Sequence, residues 1–208
     1  MSVPMSQVLT TARTYLNDDN ATQFPDPVLI PKCQEAHREL QEELWVGGSP
    51  NVRALTATLH YVANATVLPA LPANFLCPMQ GFENAWPTPA APTVWTPMTE
   101  AFFNPLGLAQ GPTLGFWQWQ NETITLIGAT VDRSVLFQYR ALIAIPILST
   151  DLIGILFGES YLAARTAAIA AGTVGNKEVY AAMTSLAKEN LSKVLTANRG
   201  QQKPLLKP

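Results

Sequence analysis

The chain has 208 residues, of which 48% are hydrophobic and only 13% are charged, with a formal net charge of −2. This length suffices for one hydrophobic core, or for one core with a small lobe. The slightly acidic balance argues against a general nucleic-acid binder, which carries a basic surface.

Charge is unevenly distributed. Residues 46–145 contain only seven charged side chains, but ten of the 17 prolines and four of the five tryptophans. Residues 165–208 carry a charge of +5, against −7 for the first 164 residues. The acidic start and the basic end are expected either to attract each other, within or between subunits, or to form two solvated helix faces. The weakly charged middle suits a part covered by neighbouring molecules better than a free enzyme.

Two helices are predicted first. Apolar residues at three- and four-residue spacing predict a helix over Ser6–Leu16, which Asn17–Asn20 ends with turn-forming residues. Asp26–Pro27 predicts the start of a second helix, capped by the aspartate, that runs to about Trp45. Pro31 removes a backbone donor, so this helix is expected to kink just before it or to start late.

The central block predicts short strands. Val52–Val62 alternates between apolar and polar residues, as a half-buried strand does. Residues 68–78 are too rich in proline for a central strand, residues 81–93 indicate a loop, and Val94–Met98 predicts a short edge strand. Three later segments predict an antiparallel meander, namely residues 116–120, 123–127 and 135–142.

The period of a helix returns from about Asp151. An alanine-rich helix is predicted to close at Gly172, and Asn176 is predicted to cap a last helix that ends near residues 198–200. The alanines allow close helix packing, within a bundle or between identical subunits. Residues 201–208 show no helical pattern and predict an extended tail.

These patterns predict an α+β fold. N-terminal and C-terminal helix pairs are expected to form one helical bundle, with an antiparallel β-rich domain inserted between them. The expected parts are the N-terminal helix pair over 1–48, the inserted proline-rich domain over 49–147, the C-terminal helix pair over 148–198 and an extended basic tail over 199–208.

Residues that could carry chemistry are few. His37 follows Cys33 by four residues and shares its helix face, which is half of a metal site with no visible second half. We expect a surface histidine beside a core cysteine there, a second surface histidine at His60, and two buried, reduced thiols at Cys33 and Cys77. No nucleotide-binding, zinc-protease, serine-hydrolase or redox motif occurs. The sequence therefore predicts no enzyme, no catalytic or metal-binding residue and no cofactor.

Trp117 and Trp119 alternate on one predicted strand, so both rings point to one face. Two interpretations follow. The rings form a stacking platform for a sugar or a base, or they belong to a core or interface face of the sheet. As interface residues, they would contact another subunit or a tail component.

Four pieces of the chain belong together. The first is the pair of N-terminal helices, with Val8–Leu9, residues 12–18 and Asp26. The others are residues 71–78, the strands over 117–140 and the alanine-rich helix followed by Asn176. In this order, these pieces resemble the head-to-tail adaptor (head completion, or neck) proteins of tailed bacteriophages. The resemblance covers most of the chain.

The resemblance implies a structural part of the virion neck that resides in the host cytoplasm before assembly and has no membrane contact. It implies a ring, commonly of twelve copies, below the portal protein, with DNA passing through its channel without sequence-specific binding. The β-rich block would face the next neck or tail protein. The C-terminal tail would bind the portal through Arg199, Lys203, Leu205, Leu206 and Lys207.

Three alternatives stay open from the sequence. One is another structural neck or tail protein, such as a stopper or a tail terminator. The second is a ligand-binding module that uses Trp117 and Trp119. The third is an enzyme that depends on His37 or His60.

Overall fold

The computed structural model describes residues 3–68, 70–88, 94–102 and 108–199. The fold is α+β, as predicted, with helices towards both ends of the chain. It divides into two compact units, one made of Met1–Val52 with Ile143–Pro208 and one made of Arg53–Leu142. Within the described ranges, no helix is long and apolar enough to cross a membrane.

The first unit, the helical unit, contains α1 (Met5–Leu16), α2 (Asp26–Val46), α3 (Glu159–Thr173) and α4 (Lys177–Arg199). All four contribute to one hydrophobic core, and α3 contacts each of the other three. Alanine methyl groups let the neighbouring helices approach closely. The buried alanines of α3 are Ala163, Ala164, Ala167, Ala168, Ala170 and Ala171.

One predicted helix end is confirmed, and two predictions about the start of α2 are wrong. The Asn176 side chain accepts a hydrogen bond from the backbone of Val179 at 3.1 Å, so the predicted cap of α4 is confirmed. Asp26 is not the cap of α2, because it already lies in the first turn, where it pairs with Arg13. Of the two expectations for Pro31, a kink or a late start of α2, the late start is wrong: the helix begins at Asp26 and Pro31 lies inside it, where it removes one hydrogen bond.

The helix expected from about Asp151 starts only at Glu159. Residues 152–156 instead alternate, with Ile153 and Ile155 buried and their neighbours exposed. This extended backbone is hydrogen-bonded to the N-terminal segment, since Ile153 N donates to the carbonyl of Val3 at 2.8 Å. Pairing with a distant segment therefore overrides the local helical pattern.

The second unit, the β unit, is a seven-stranded sheet. Its order is β1-β7-β3-β4-β5-β6, with β2 also paired to β7. The strands are β1 (Arg53–Leu55), β2 (Leu59–Tyr61), β3 (Phe75–Ala85), β4 (Thr96–Glu100), β5 (Phe116–Gln120), β6 (Thr123–Leu126) and β7 (Arg133–Ala141). Strand β7 is central, because β1 and β2 pair along one of its edges and β3 along the other.

Two predictions for the region of β3 are wrong. Residues 81–85 are not part of a loop, and the stretch that contains Pro78 does belong to a central strand. Strand β3 is the longest strand in the described residues and lies inside the sheet. Pro78 is tolerated because the register with β7 shifts between Pro78 and Gln80, so the missing donor falls at an irregularity of the ladder.

Strand β4 is not the predicted edge strand, and the sheet is mixed rather than antiparallel. One part of β4 pairs antiparallel with β3, and Thr99–Glu100 pairs parallel with β5. The predicted hairpin of β5 and β6 is confirmed, with Asn121 and Glu122 at positive φ in its turn. The predicted third strand of the meander, β7, does not pair with β6.

The predicted strand over Val52–Val62 is split into β1 and β2. The alternation also predicts that apolar Leu55 faces the core and polar Thr56 faces outward, and this is wrong, because Leu55 is exposed and Thr56 is buried. The Thr56 hydroxyl accepts a hydrogen bond from Phe137 N at 3.0 Å, which stabilises the buried polar group. Val135, Phe137 and Tyr139 alternate along β7 and are all buried on one face of it.

Candidate functional site

The two tryptophans singled out from the sequence do not form an open stacking platform. Trp117 is only 1% exposed, and its ring packs edge-on against Phe137 with centroids 5.4 Å apart. Trp119 is half-buried, lies 5.7 Å from the ring of Phe75 and borders a cleft of about 250 Å³. Trp117 is therefore a core residue of the β unit, whereas part of Trp119 stays accessible to a neighbour.

The predicted portal-binding residues fall at the end of the chain. Arg199 is the last residue of α4, and its side chain lies outside the described part. Lys203, Leu205, Leu206 and Lys207 also lie outside the described residues.

His37 is not the surface residue that was expected. It is fully buried in α2, and neither ring nitrogen has a hydrogen-bond partner among the described residues. Burial, together with the nearby charge of Arg38, lowers the pKa of His37 to about 4, so the ring is neutral at pH 7. In the described ranges, no group of three or more His, Cys, Asp or Glu side chains could hold a metal ion.

The two cysteines differ in accessibility. Cys33 is fully buried, as predicted, and burial raises the pKa of its thiol to about 11. Cys77, on β3, is only half-buried, so the prediction of a buried thiol is wrong there. We therefore expect a thiol reagent at pH 8 to label one cysteine per native chain quickly and both in denaturant. A Cys77→Ser variant should lose the fast phase, and equal rates for both thiols in the native chain would contradict this assignment.

His60 belongs to a small polar cluster on the β unit. Its Nε2 lies 2.9 Å from a carboxylate oxygen of Asp132, and its ring stacks on Trp86 with centroids 3.9 Å apart. A backbone hydrogen bond from Ala63 and the contact with His60 hold the pKa of Asp132 below its usual range. The carboxylate thereby ties the end of β2 to the turn before β7, which is a structural role.

Among the described residues, one ion pair joins the acidic first 45 residues to the basic segment that begins at Arg165. Arg165 of α3 donates two hydrogen bonds to Glu39 of α2, from Nε at 2.6 Å and from Nη2 at 2.8 Å. Such a bidentate pair fixes two helices in both distance and orientation. It borders an open cleft of about 450 Å³ that also includes Tyr161 and Lys188.

The most unusual surface is the connection that leads into α3, called here the apolar segment (residues 147–157). Of its seven large apolar side chains, Ile153 and Ile155 are buried. The other five are each between 41% and 69% exposed, and they are Ile147, Leu148, Leu152, Leu156 and Phe157. Exposed apolar side chains that lie this close together in the chain make the segment a candidate interaction surface. The sequence pattern, interpreted as a turn and the start of a helix, did not reveal this surface.

The apolar segment has a defined shape. The Asp151 carboxylate accepts hydrogen bonds from the backbone of Ile147 at 2.8 Å and of Leu148 at 2.9 Å. Ile153 anchors the middle in the core, and Phe157 adopts a φ of 60°, which is strained for a bulky side chain. The segment therefore presents its apolar side chains on a backbone that is already ordered in the single chain.

Comparison with known proteins gives no family. No protein-family model matches this chain, and no curated protein matches it.

Proposed function

We propose that this chain is a structural neck protein of a tailed phage, an adaptor that assembles as a ring under the portal and joins the head to the tail. The observation that carries the proposal is the apolar segment, an ordered and exposed apolar surface on a charge-poor chain. Such a surface is stabilised when a neighbouring molecule covers it. The ring would enclose part of the DNA channel.

The arrangement of the helices supports the adaptor over the stopper or tail terminator. Helices from both ends of the chain share one hydrophobic core, as the resemblance to adaptor proteins leads one to expect. A stopper or terminator would instead be favoured by end helices that do not pack together. The proposal assigns no catalytic residue, metal or cofactor to the chain.

A ring requires two different faces on each subunit, because each copy contacts its two neighbours with different surfaces. We assign the apolar segment to one of these faces. In this proposal Arg199, Lys203, Leu205, Leu206 and Lys207 bind the portal, and Trp119 is a candidate contact for the next neck or tail protein.

The assignment of this chain to the phage neck is tested by electron microscopy of virions of the phage that encodes it. A closed ring of this chain between the portal and the tail is the expected result. Absence of the chain from that position would overturn the proposal.

The role of the apolar segment is tested by the double variant Leu152→Asp with Phe157→Asp, produced together with the portal protein of the same phage. We expect at least a tenfold rise in the concentration needed for ring assembly, because two charges would have to be buried in the subunit contact. Mass photometry measures the assembly, and circular dichroism checks that the chain stays folded.

The matched control is Val174→Asp, an equally exposed apolar residue at the other end of α3. This control should assemble like the original chain. If the double variant assembles normally, the apolar segment is not part of the subunit contact.

A further inference from the structure

Two adjoining clefts form a groove across the start of α3, called here the α3 groove. The first has a volume of about 340 Å³ and runs along α4; its lining includes Phe157, Glu159, Ser160, Val194 and Ala197. The second, of about 170 Å³, is bordered by the same Glu159 and Ser160 and continues along Gln7, Val8 and Thr11 of α1. All of these residues belong to the helical unit.

We propose that the α3 groove binds residues 200–208 of the same chain. Leu205 and Leu206 would pack against Phe157 and the apolar floor of the groove, and the tail lysines would face Glu159. This inference does not rest on the proposed neck function, because it concerns the free subunit alone.

The position of the chain end supports this occupant. The last described residue, Arg199, lies two residues beyond Ala197, which lines the groove. From there to Asn190, at the far side of the first cleft, the distance along α4 is about 13 Å. Nine extended residues span up to about 30 Å, so the tail is long enough to turn back and follow the groove.

The sequence of residues 200–208 favours a chain that reverses direction after α4. Gly200 directly follows the last helical residue, and glycine readily adopts the left-handed conformation that ends helices and redirects the chain. Pro204 prevents the helix from continuing further. The pair Leu205–Leu206 then falls within reach of the groove.

The lining of the groove complements the tail in polarity and charge. Val194 forms an apolar floor, and the exposed, strained Phe157 forms a wall. Lys193 already pairs with Glu189 on α4, whereas Glu159 makes no ion pair with any described residue. The carboxylate of Glu159 is therefore available to Lys203 or Lys207.

The test is disulfide trapping in the full-length chain. Ser160→Cys, in the groove, is combined with Leu206→Cys in a Cys77→Ser background, while Cys33 is left in place because it is fully buried.

The matched control is Ser192→Cys with the same Leu206→Cys. Ser192 is exposed on α4 and does not line the groove. It lies seven residues before Arg199, whereas Ser160 lies beside Asn190, nine residues before Arg199. A tail that moves freely would reach Ser192 at least as fast as Ser160.

We expect the Ser160 pair to close within one chain at least tenfold faster than the Ser192 pair under mild oxidation, as measured by peptide mass spectrometry. Adding Glu159→Lys should slow the Ser160 pair several-fold. Equal rates for the two pairs would overturn the proposal. So would disulfides formed only between chains, which would place the tail on a second copy. Thiol counting in denaturant and circular dichroism confirm that each variant is intact.

Discussion

Replacing Glu83 by leucine is expected to destabilise the β unit by about 2–4 kcal/mol, because the largely buried guanidinium of Arg133 then loses its carboxylate partner and the backbone N–H of Leu114 loses its acceptor. Glu83 lies on β3 and is only 2% exposed. Its Oε2 accepts hydrogen bonds from Arg133 Nε on β7 at 2.9 Å and from the backbone of Leu114 at 2.8 Å. One carboxylate thus stabilises two neighbouring strands and the segment that leads into β5.

Urea unfolding followed by tryptophan fluorescence measures this effect, since four of the five tryptophans lie in the β unit. The matched control is Glu100→Leu at an exposed position of β4, which should change the free energy of unfolding by less than about 0.5 kcal/mol. Adding Arg133→Met to Glu83→Leu should restore at least half of the loss, because no buried charge is then left unpaired. A loss below about 1 kcal/mol in the single variant would show that the pair contributes little.

The helical unit is expected to lose stability between about pH 6.5 and pH 4 through His37. The pKa of His37 is about 4 in the folded chain and about 6.5 when the chain is unfolded. As the pH falls through this window, the unfolded chain binds a proton that the folded chain does not, so the free energy of unfolding decreases. Above pH 6.5 the effect is absent, and below pH 4 it has reached its full size of about 3 kcal/mol.

The His37→Leu variant should lack this part of the acid sensitivity, and it should be at least as stable as the original chain at pH 7. The matched control is His60→Gln, which removes the other histidine of the chain and should retain the loss. Urea unfolding at several pH values, followed by circular dichroism at a helical wavelength, gives the comparison. The same pH dependence in the original chain and in His37→Leu would exclude His37 as the cause.

The elements predicted best are those whose boundaries depend on nearby residues. Asn17 in its left-handed conformation ends α1, and Asn176 caps α4 through the backbone three residues later. Both signals act within one helical turn, so the sequence pattern alone was sufficient.

The sheet was predicted less well because its pairing joins distant residues. Strand β3 pairs with β7 from Phe75↔Ala141 to Ala85↔Arg133, so its partners lie about 50 to 65 residues away in the chain. No local pattern indicates which strand offers a register irregularity that tolerates Pro78. The parallel pairing of β4 with β5 is hidden from the sequence for the same reason.

The burial of His37 and the exposure of the apolar segment were also not predicted, because both depend on contacts between residues that are distant in the chain. The shared face of Cys33 and His37 followed from their spacing, but the complete burial of His37 depends on how the other helices pack around α2. The apolar character of residues 147–157 is visible in the sequence. Which of those side chains face outward is decided by pairing with the N-terminal segment, through Val3 and Met5.

The division of the helical unit into two stretches of chain has a consequence for synthesis on the ribosome. About 110 residues separate the end of α2 at Val46 from the start of α3 at Glu159, so α1 and α2 emerge well before α3. At roughly 5–20 residues per second, the faces that α3 covers stay exposed for about 6–22 s. A chain that stops before α3 therefore cannot complete this unit, and its core closes only after α4 has been made.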